Sequence, residues 1–284
     1  MTPTLVRQHL FHTGPPSRVD LWARARDWSE IQERMLVPLY EAVYERLEVG
    51  PDTRLLGLGC GSGLALLMAA GRGAAVTGVE PSSPERLALA RQRLLPEAWG
   101  AGAGAGADVR LAVGPPADAA GSADARTPAY SLVTAFEPVG YRPGDPDGLG
   151  DLLAEAAPLA ERGAPVVLAG WGPPERCTTL SVLRATTGPA DPPRAAPRDG
   201  LEEIAERAGL RPDGSGRVAC PFGYADTESA VRGLLSTGLF DEALAAADPA
   251  HLDKELTEAL HPYQRPDGTV WMPNVFRYLV ARVP

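Results

Sequence analysis

Four glycines spaced two apart, Gly57, Gly59, Gly61 and Gly63, interrupt an apolar run, and Leu64, Leu66, Leu67 and Met68 follow at once at helical spacing. A strand that breaks into such a turn lets backbone N–H groups approach a ligand closely, and the next helix adds the partial positive charge of its N-terminus. The chemistry this suits is the holding of a nucleotide-like group. Glu80 closes the following apolar run roughly 20 residues on, where a carboxylate can accept hydrogen bonds from ribose hydroxyls. A dinucleotide frame, Gly-x-Gly-x-x-Gly/Ala, needs a small third residue, and the available frames place Ser62, Leu64 or Leu66 there. The spacing excludes that frame and leaves Gly-x-Gly-x-Gly. Glu137, in the stretch Phe136-Glu137-Pro138-Val139-Gly140-Tyr141 that ends a later apolar run, is placed to act as a general base or to hold a cationic amine, and equally to be a solvated loop carboxylate. Of four histidines, His9 and His12 lie near the N-terminus, and His251 and His261 in a C-terminal helical stretch. His261 is the better candidate because Tyr263, Arg265, Trp271 and Asn274 follow it, although a lone histidine is more often a packing or surface residue.

The elements that position these residues follow a regular order. After the first strand come strands at 74–80, 109–113, 130–136 and 165–171, interleaved with helical patterns at 84–95, 149–161 and 200–208. Such alternation implies a parallel sheet covered by helices on both faces, with ligands bound beyond the carboxyl ends of the strands. Residues 27–47 carry Trp28, Ile31, Met35, Leu36, Leu39, Tyr40, Val43 and Leu47 at helical period, with Pro38 expected to kink or divide them. Between 222 and 264 helical patterns replace the alternation and suggest a lid, and 269–283 is a β-rich run that completes the sheet. The expected organisation is an N-terminal helical segment (1–50), a cofactor-binding core (51–221), a helical lid (222–264) and a final β segment (265–284). The Gly-Ala stretch at 100–107 and the Pro- and Gly-rich stretches at 143–147 and 188–197 read as loops. Tyr141, Trp171, Phe222, Tyr224, Tyr263 and Trp271 fall at strand ends and lid edges, where they either line an apolar pocket or pack lid against sheet.

Composition narrows the function. A net charge of -9, with 36 acidic against 27 basic residues, argues against a general nucleic-acid binder. Lys254 is the only lysine. No N-terminal leader pattern and no long apolar window is evident, so a cytoplasmic, non-membrane protein is expected. Cys60, Cys177 and Cys220 are widely spaced and read as reduced thiols, and no His-x-x-x-His or similar spacing suggests a metal.

The glycine loop with Glu80, together with Trp28-Ser29-Glu30, Leu132-Val133-Thr134-Ala135-Phe136, Trp171-Gly172-Pro173-Pro174-Glu175-Arg176-Cys177 and Asn274-Val275-Phe276-Arg277-Tyr278, resembles the class I S-adenosylmethionine-dependent methyltransferases of small-molecule, actinomycete-like type. The resemblance covers about residues 22–283. It implies a Rossmann-like, doubly wound, mostly parallel seven-stranded sheet with an antiparallel last strand and a helical lid. It also implies S-adenosylmethionine as cofactor, with S-adenosylhomocysteine as product, and a small apolar or aromatic acceptor of secondary metabolism. On this pattern Gly57, Gly59, Cys60, Gly61, Gly63, Glu80, Pro81, Pro115, Phe136 and Trp28 hold the cofactor, while Glu137, His261 and Tyr141 serve the transfer. Two positions depart from the family: Gly57 stands where an aspartate is usual, and Pro115 follows Gly114 where an aspartate is usual, with Asp118 a later substitute. Those departures keep two further readings open, a cyclase or isomerase with non-transferring S-adenosylmethionine and a binding protein that has lost the cofactor. Oligomeric state is not specified by the sequence.

Overall fold

The computed structural model describes residues 20–95, 108–120, 130–139, 145–187, 199–246 and 248–284. Helix α1 (Leu21–Asp27) continues into a π-helical turn (Trp28–Gln32) and a 3-10 turn (Glu33–Leu36) before α2 (Val37–Arg46) begins, with Pro38 in its first turn. A proline lacks the N–H that an uninterrupted helix would need at that point, so the division falls just ahead of it. The core then alternates through β1 (Arg54–Leu58), α3 (Leu64–Ala70), β2 (Ala75–Glu80), α4 (Pro84–Leu94), β3 (Val109–Val113), β4 (Leu132–Val139), α5 (Asp145–Ala156), β5 (Pro165–Trp171), α6 (Thr178–Thr187), α7 (Gly200–Arg207) and β6 (Arg211–Ala219). A ribbon of β7 (Phe222–Tyr224) and β8 (Val270–Met272) flanks helices α8 (Thr227–Ser236), α9 (Asp241–Ala246) and α10 (Pro249–Leu260), and β9 (Val275–Arg282) ends the chain's secondary structure.

The main sheet has seven strands in the order β3-β2-β1-β4-β5-β9-β6. Pairings across β3, β2, β1, β4 and β5 are parallel, and β9 lies antiparallel to both β5 and β6. Order reverses beside β1, which places the switch point, and so the expected ligand crevice, at the carboxyl ends of β1 and β4. Side chains alternate between two cores. Leu55, Leu132, Val167 and Val280 face α2, α3 and helices α6, α8 and α10, whereas Leu56, Val133, Leu168 and Leu279 face α5 and α7.

Three elements differ from the sequence reading. The strand β6 carries Pro212, Asp213, Gly214 and Gly216, which read as turn chemistry, yet it pairs with β9 along its length. Gly216 is needed because a Cβ there would meet the Tyr278 ring at 2.4 Å, and at Gly214 the free space is taken by the mobile end of Arg46. Helix α6 was not marked by the β/α pattern. Finally, the run 269–283 is split: its first strand pairs with β7 and lies outside the main sheet, and Pro273-Asn274 turns the chain into β9. No helix among the described residues is long and apolar enough to cross a membrane.

Candidate functional site

The glycine loop leaves β1 with Gly59, Gly61 and Gly63 all at positive φ (59°, 58° and 83°), a region in which other residues are strained. Gly63 caps α3, and a Cβ there would press on Ala90 and Leu94 at 3.0 Å, so its smallness lets α3 and α4 approach. Gly57 has a packing reason too. A Cβ at Gly57 would lie 2.9 Å from Leu66 Cδ2, and one at Gly78, on the neighbouring strand, 2.5 Å from Leu66 Cδ1. Leu66 thus fills the space that a side chain at 57 would take. Glu80 ends β2 fully buried: its carboxylate accepts from the Gly61 N–H at 2.9 Å and from the Ser82 N–H and hydroxyl at 3.1 and 2.6 Å. It braces the loop from behind.

Over the front of the loop lies the N-terminal segment. Glu33, buried in the 3-10 turn, accepts from the Ser62 hydroxyl, from Arg93 Nη1 at 2.7 Å and from the Leu64 N–H at 3.3 Å. Arg93 extends the clasp by donating to the Ser62 carbonyl at 2.8 Å and to Ser29 Oγ at 2.9 Å. Trp28, only 7% exposed, has its ring beneath Arg86, whose guanidinium carbon is 4.3 Å from the ring centroid. The indole Nε1 of Trp28 is buried and has no hydrogen-bond partner among the described residues. Both Trp28 Nε1 and Glu33 Oε1 lie 3.3 Å from where a Gly61 Cβ would stand. The widened π turn is what brings these two side chains, five residues apart, onto one glycine.

The opposite wall comes from β4. Its register against β5 slips between Ala135 and Val139, a bulge that contains Phe136, Glu137 and Pro138. Bulges re-aim side chains at sheet edges and sites. Here Phe136 meets the rings of Tyr40 (centroids 4.9 Å apart) and Tyr44 (5.7 Å), and Glu137 Oε2 comes 3.7 Å from a Cβ position on Gly59. Arg86 joins this wall to the α8 helix: Nη2 donates to the Ser236 carbonyl at 3.0 Å, and Nη1 stands 3.7 Å from Glu137 Oε1. Burial, and secondarily the Glu33 charge, hold the Tyr40 phenol well above its ordinary value. Burial also pushes the Cys60 thiol far up, with the Glu80 and Glu33 charges adding, so Cys60 is an inert packing group and not a nucleophile.

Trp28, Glu33, Tyr40, Gly57, Gly59, Cys60, Gly61, Arg86, Phe136 and Glu137 therefore converge on one cleft. Its free volume is about 30 Å³. That is small beside the ~300–1,000 Å³ of ordinary small-molecule pockets. Several residues singled out from sequence lie elsewhere. Pro81 and Pro115 are exposed at the ends of β2 and β3, and Asp118 folds back over Gly114, with its Oδ2 2.9 Å from a Cβ position there. His261 is exposed in the turn after α10, and His251 pairs with Glu255 at 3.2 Å on the surface of α10. Tyr141, His9 and His12 fall outside the described residues. Trp171, Phe222 and Tyr224 join Phe276 in a ring cluster, with centroids 4.6 to 6.4 Å apart, and they pack the β7–β8 ribbon against the sheet instead of lining the cleft. Glu33 and Arg86 were missed by the sequence reading. Glu33 was detectable, since it shares the helical stripe of Leu36, Tyr40 and Val43, where a charge is out of place unless partnered. Arg86 carries no such signal.

No protein-family model and no curated protein sequence matches the chain. Solved structures do match in fold. A candidate methyltransferase of Bacillus halodurans aligns with a TM-score of 0.52 at 14% identity over 86% of this chain and 98% of its own. The fold is that of the class I methyltransferases. YjhP of Escherichia coli shares this methyltransferase fold (TM-score 0.50, 21% identity, 92% and 99% coverage). So does the candidate methyltransferase held in complex with the Trm112 methyltransferase activator of Haloferax volcanii (0.53, 19%, 94% and 99%). In the methyltransferase fold of this chain, the glycine cleft sits at the switch point where β1 and β4 part.

Proposed function

We propose that the chain is an S-adenosylmethionine-dependent methyltransferase for a small acceptor, bound in the cleft between the glycine loop, β4 and the N-terminal segment, with the helices of 222–264 as a lid outside that segment. The observation that carries this reading is the positive-φ run Gly59, Gly61, Gly63 between a buried strand and α3, braced by Glu80 at the switch point of this fold. The residues fit such a group in chemistry. The face over Gly59 has only Glu137 Oε2 near a Cβ position, at 3.7 Å, and a buried unpaired donor, Trp28 Nε1, stands over Gly61. The present free volume does not admit it, so the segment from α1 through the 3-10 turn must lift for entry.

S-adenosylmethionine supplies, when bound, a methyl group already activated on a sulfonium. The chain's own residues then have modest duties, chiefly to orient the acceptor and exclude water. Phe136 and Tyr40 offer apolar faces to an acceptor, and Glu137, steered by Arg86, takes its proton where it has one to lose. The buried Tyr40 phenol keeps its proton at neutral pH, so its O–H is a donor for an acceptor bound beside Phe136. Calorimetric titration with S-adenosylmethionine and S-adenosylhomocysteine tests the reading. Saturable binding of both supports it, and no binding by folded protein rejects it.

A second reading has its own support: Leu66 fills the space above Gly57, and Glu33 and Trp28 rest directly on Gly61. These contacts favour a chain that keeps the fold without the cofactor. The same titration separates the two.

A further inference from the structure

We propose that Trp28 and Glu33, from the N-terminal segment, form the subsite for the α-amino-acid end of the ligand held by the glycine loop. The inference rests on the cofactor reading above and names the residues that read this end of it. Its basis is a pair of atoms with opposite needs placed side by side. Trp28 Nε1 is a donor with no acceptor among the described residues, although the residue is only 7% exposed and lines the cleft. Glu33 Oε2 is taken by Ser62 and Arg93, whereas Oε1 has the longer 3.3 Å contact with the Leu64 N–H. Among the described residues Glu33 Oε1 holds only that one long bond and keeps a lone pair to offer, and both it and Trp28 Nε1 project onto Gly61, each 3.3 Å from its Cβ position.

An ammonium needs the acceptor and a carboxylate needs the donor, so a zwitterionic amino-acid group satisfies both at once. The first strand, Arg54–Leu58, carries no carboxylate that could reach this part of the loop. Glu33 brings one in from outside the core. When the segment lifts by the thickness of a ligand, the groups that now rest on Gly61 become the groups that face the ligand. In the closed arrangement Arg93 pairs with Glu33 and Arg86 stacks on the Trp28 ring, which orients both side chains over the loop.

The test is a ratio of affinities. S-adenosylhomocysteine carries the amino-acid end, and 5′-methylthioadenosine lacks it. The wild-type chain binds the first at least about tenfold more tightly, the yield of one charge-assisted hydrogen bond. In Glu33→Gln that ratio shrinks about tenfold, and in Trp28→Phe about three- to tenfold, while affinity for 5′-methylthioadenosine stays within about twofold in each. Trp28→Phe keeps an aromatic ring under Arg86 and carries the test alone should Glu33→Gln fail to fold. Equal wild-type binding of the two nucleosides overturns the subsite and leaves the cofactor reading standing. An unchanged ratio in the variants also overturns it, as does a parallel loss for both nucleosides, which would make the residues structural supports. Failure of the wild type to bind either nucleoside overturns the subsite and the cofactor reading together.

Discussion

The cleft under the N-terminal segment and the ring cluster beneath the β7–β8 ribbon are both buried, both rich in aromatics and both on the same face of the sheet, yet they are built on opposite terms. Around Trp171, Phe222, Tyr224 and Phe276 the rings pack on one another, and the Tyr224 hydroxyl finds Gln32 Oε1 at 2.9 Å. Around Gly61, charges from four elements meet a cradle of backbone, and one indole N–H has no partner. A satisfied apolar cluster serves stability; a cluster of paired charges with an orphaned donor against glycine serves a ligand. What separates the regions is the satisfaction of polar atoms, since aromatic content is common to both.

Substitutions sharpen that contrast. Phe222→Ala, fully buried, is expected to cost about 3–5 kcal/mol of stability in urea unfolding, with ligand affinity unchanged in the protein that remains folded. A loss of affinity equal to that of a cleft variant would erase the distinction. Glu80→Ala removes the acceptor for three donors behind the loop and should cost about 2–4 kcal/mol while also weakening ligand binding. If its stability matches wild type, Glu80 does not brace the loop. Gly61→Ala adds a Cβ at φ 58° against Trp28 and Glu33 and is expected to cost about 1–3 kcal/mol, with the larger effect on ligand affinity.

Alkaline pH acts on both regions. Burial pushes the Cys220 thiol from 9.0 up to about 12 and raises Cys60, Tyr40 and Tyr224 as well. Below pH 9 folded and unfolded chains alike hold the thiol protons, so stability is flat. Above it the unfolded chain releases protons that the folded chain keeps, and stability falls by about 1.4 kcal/mol per pH unit for each such thiol until the folded group titrates. Denaturant midpoints at pH 7.5, 9 and 10.5 (about these values) check the sign. Native Cys220 should also resist thiol reagents at neutral pH. The smallest effect belongs to the surface pair Arg24–Asp241 at 2.8 Å, where Arg24→Ala should cost less than about 1 kcal/mol.

The fold was readable because its signals are local and periodic. Apolar runs of strand length separated by helical patterns dictate a parallel sheet, and the strand at 165–171 and the last strand were placed by the same logic. Strand β6 was hidden because its Gly216 answers to the ring of Tyr278, a residue far away in sequence. The site was legible only on the side that the loop itself supplies. Gly59, Gly61, Phe136 and Glu137 follow from strand ends, whereas Glu33 and Arg86 enter through tertiary packing, Glu33 from the turn after the π-helical residues and Arg86 through its contact with α8. Gly57 shows the limit most clearly: the sequence offers a missing carboxylate, and only the structure shows Leu66 in its space and Glu33 arriving from the other side.

The most direct test of the glycine cleft as the ligand site is hydrogen–deuterium exchange of the full chain with and without saturating S-adenosylhomocysteine. The expected result is protection of residues 57–66 together with altered exchange across 21–36, the loop and the segment that must lift and reclose over it. Exchange that is unchanged in both segments, or protection confined to the ring cluster around Phe222, would contradict the assignment.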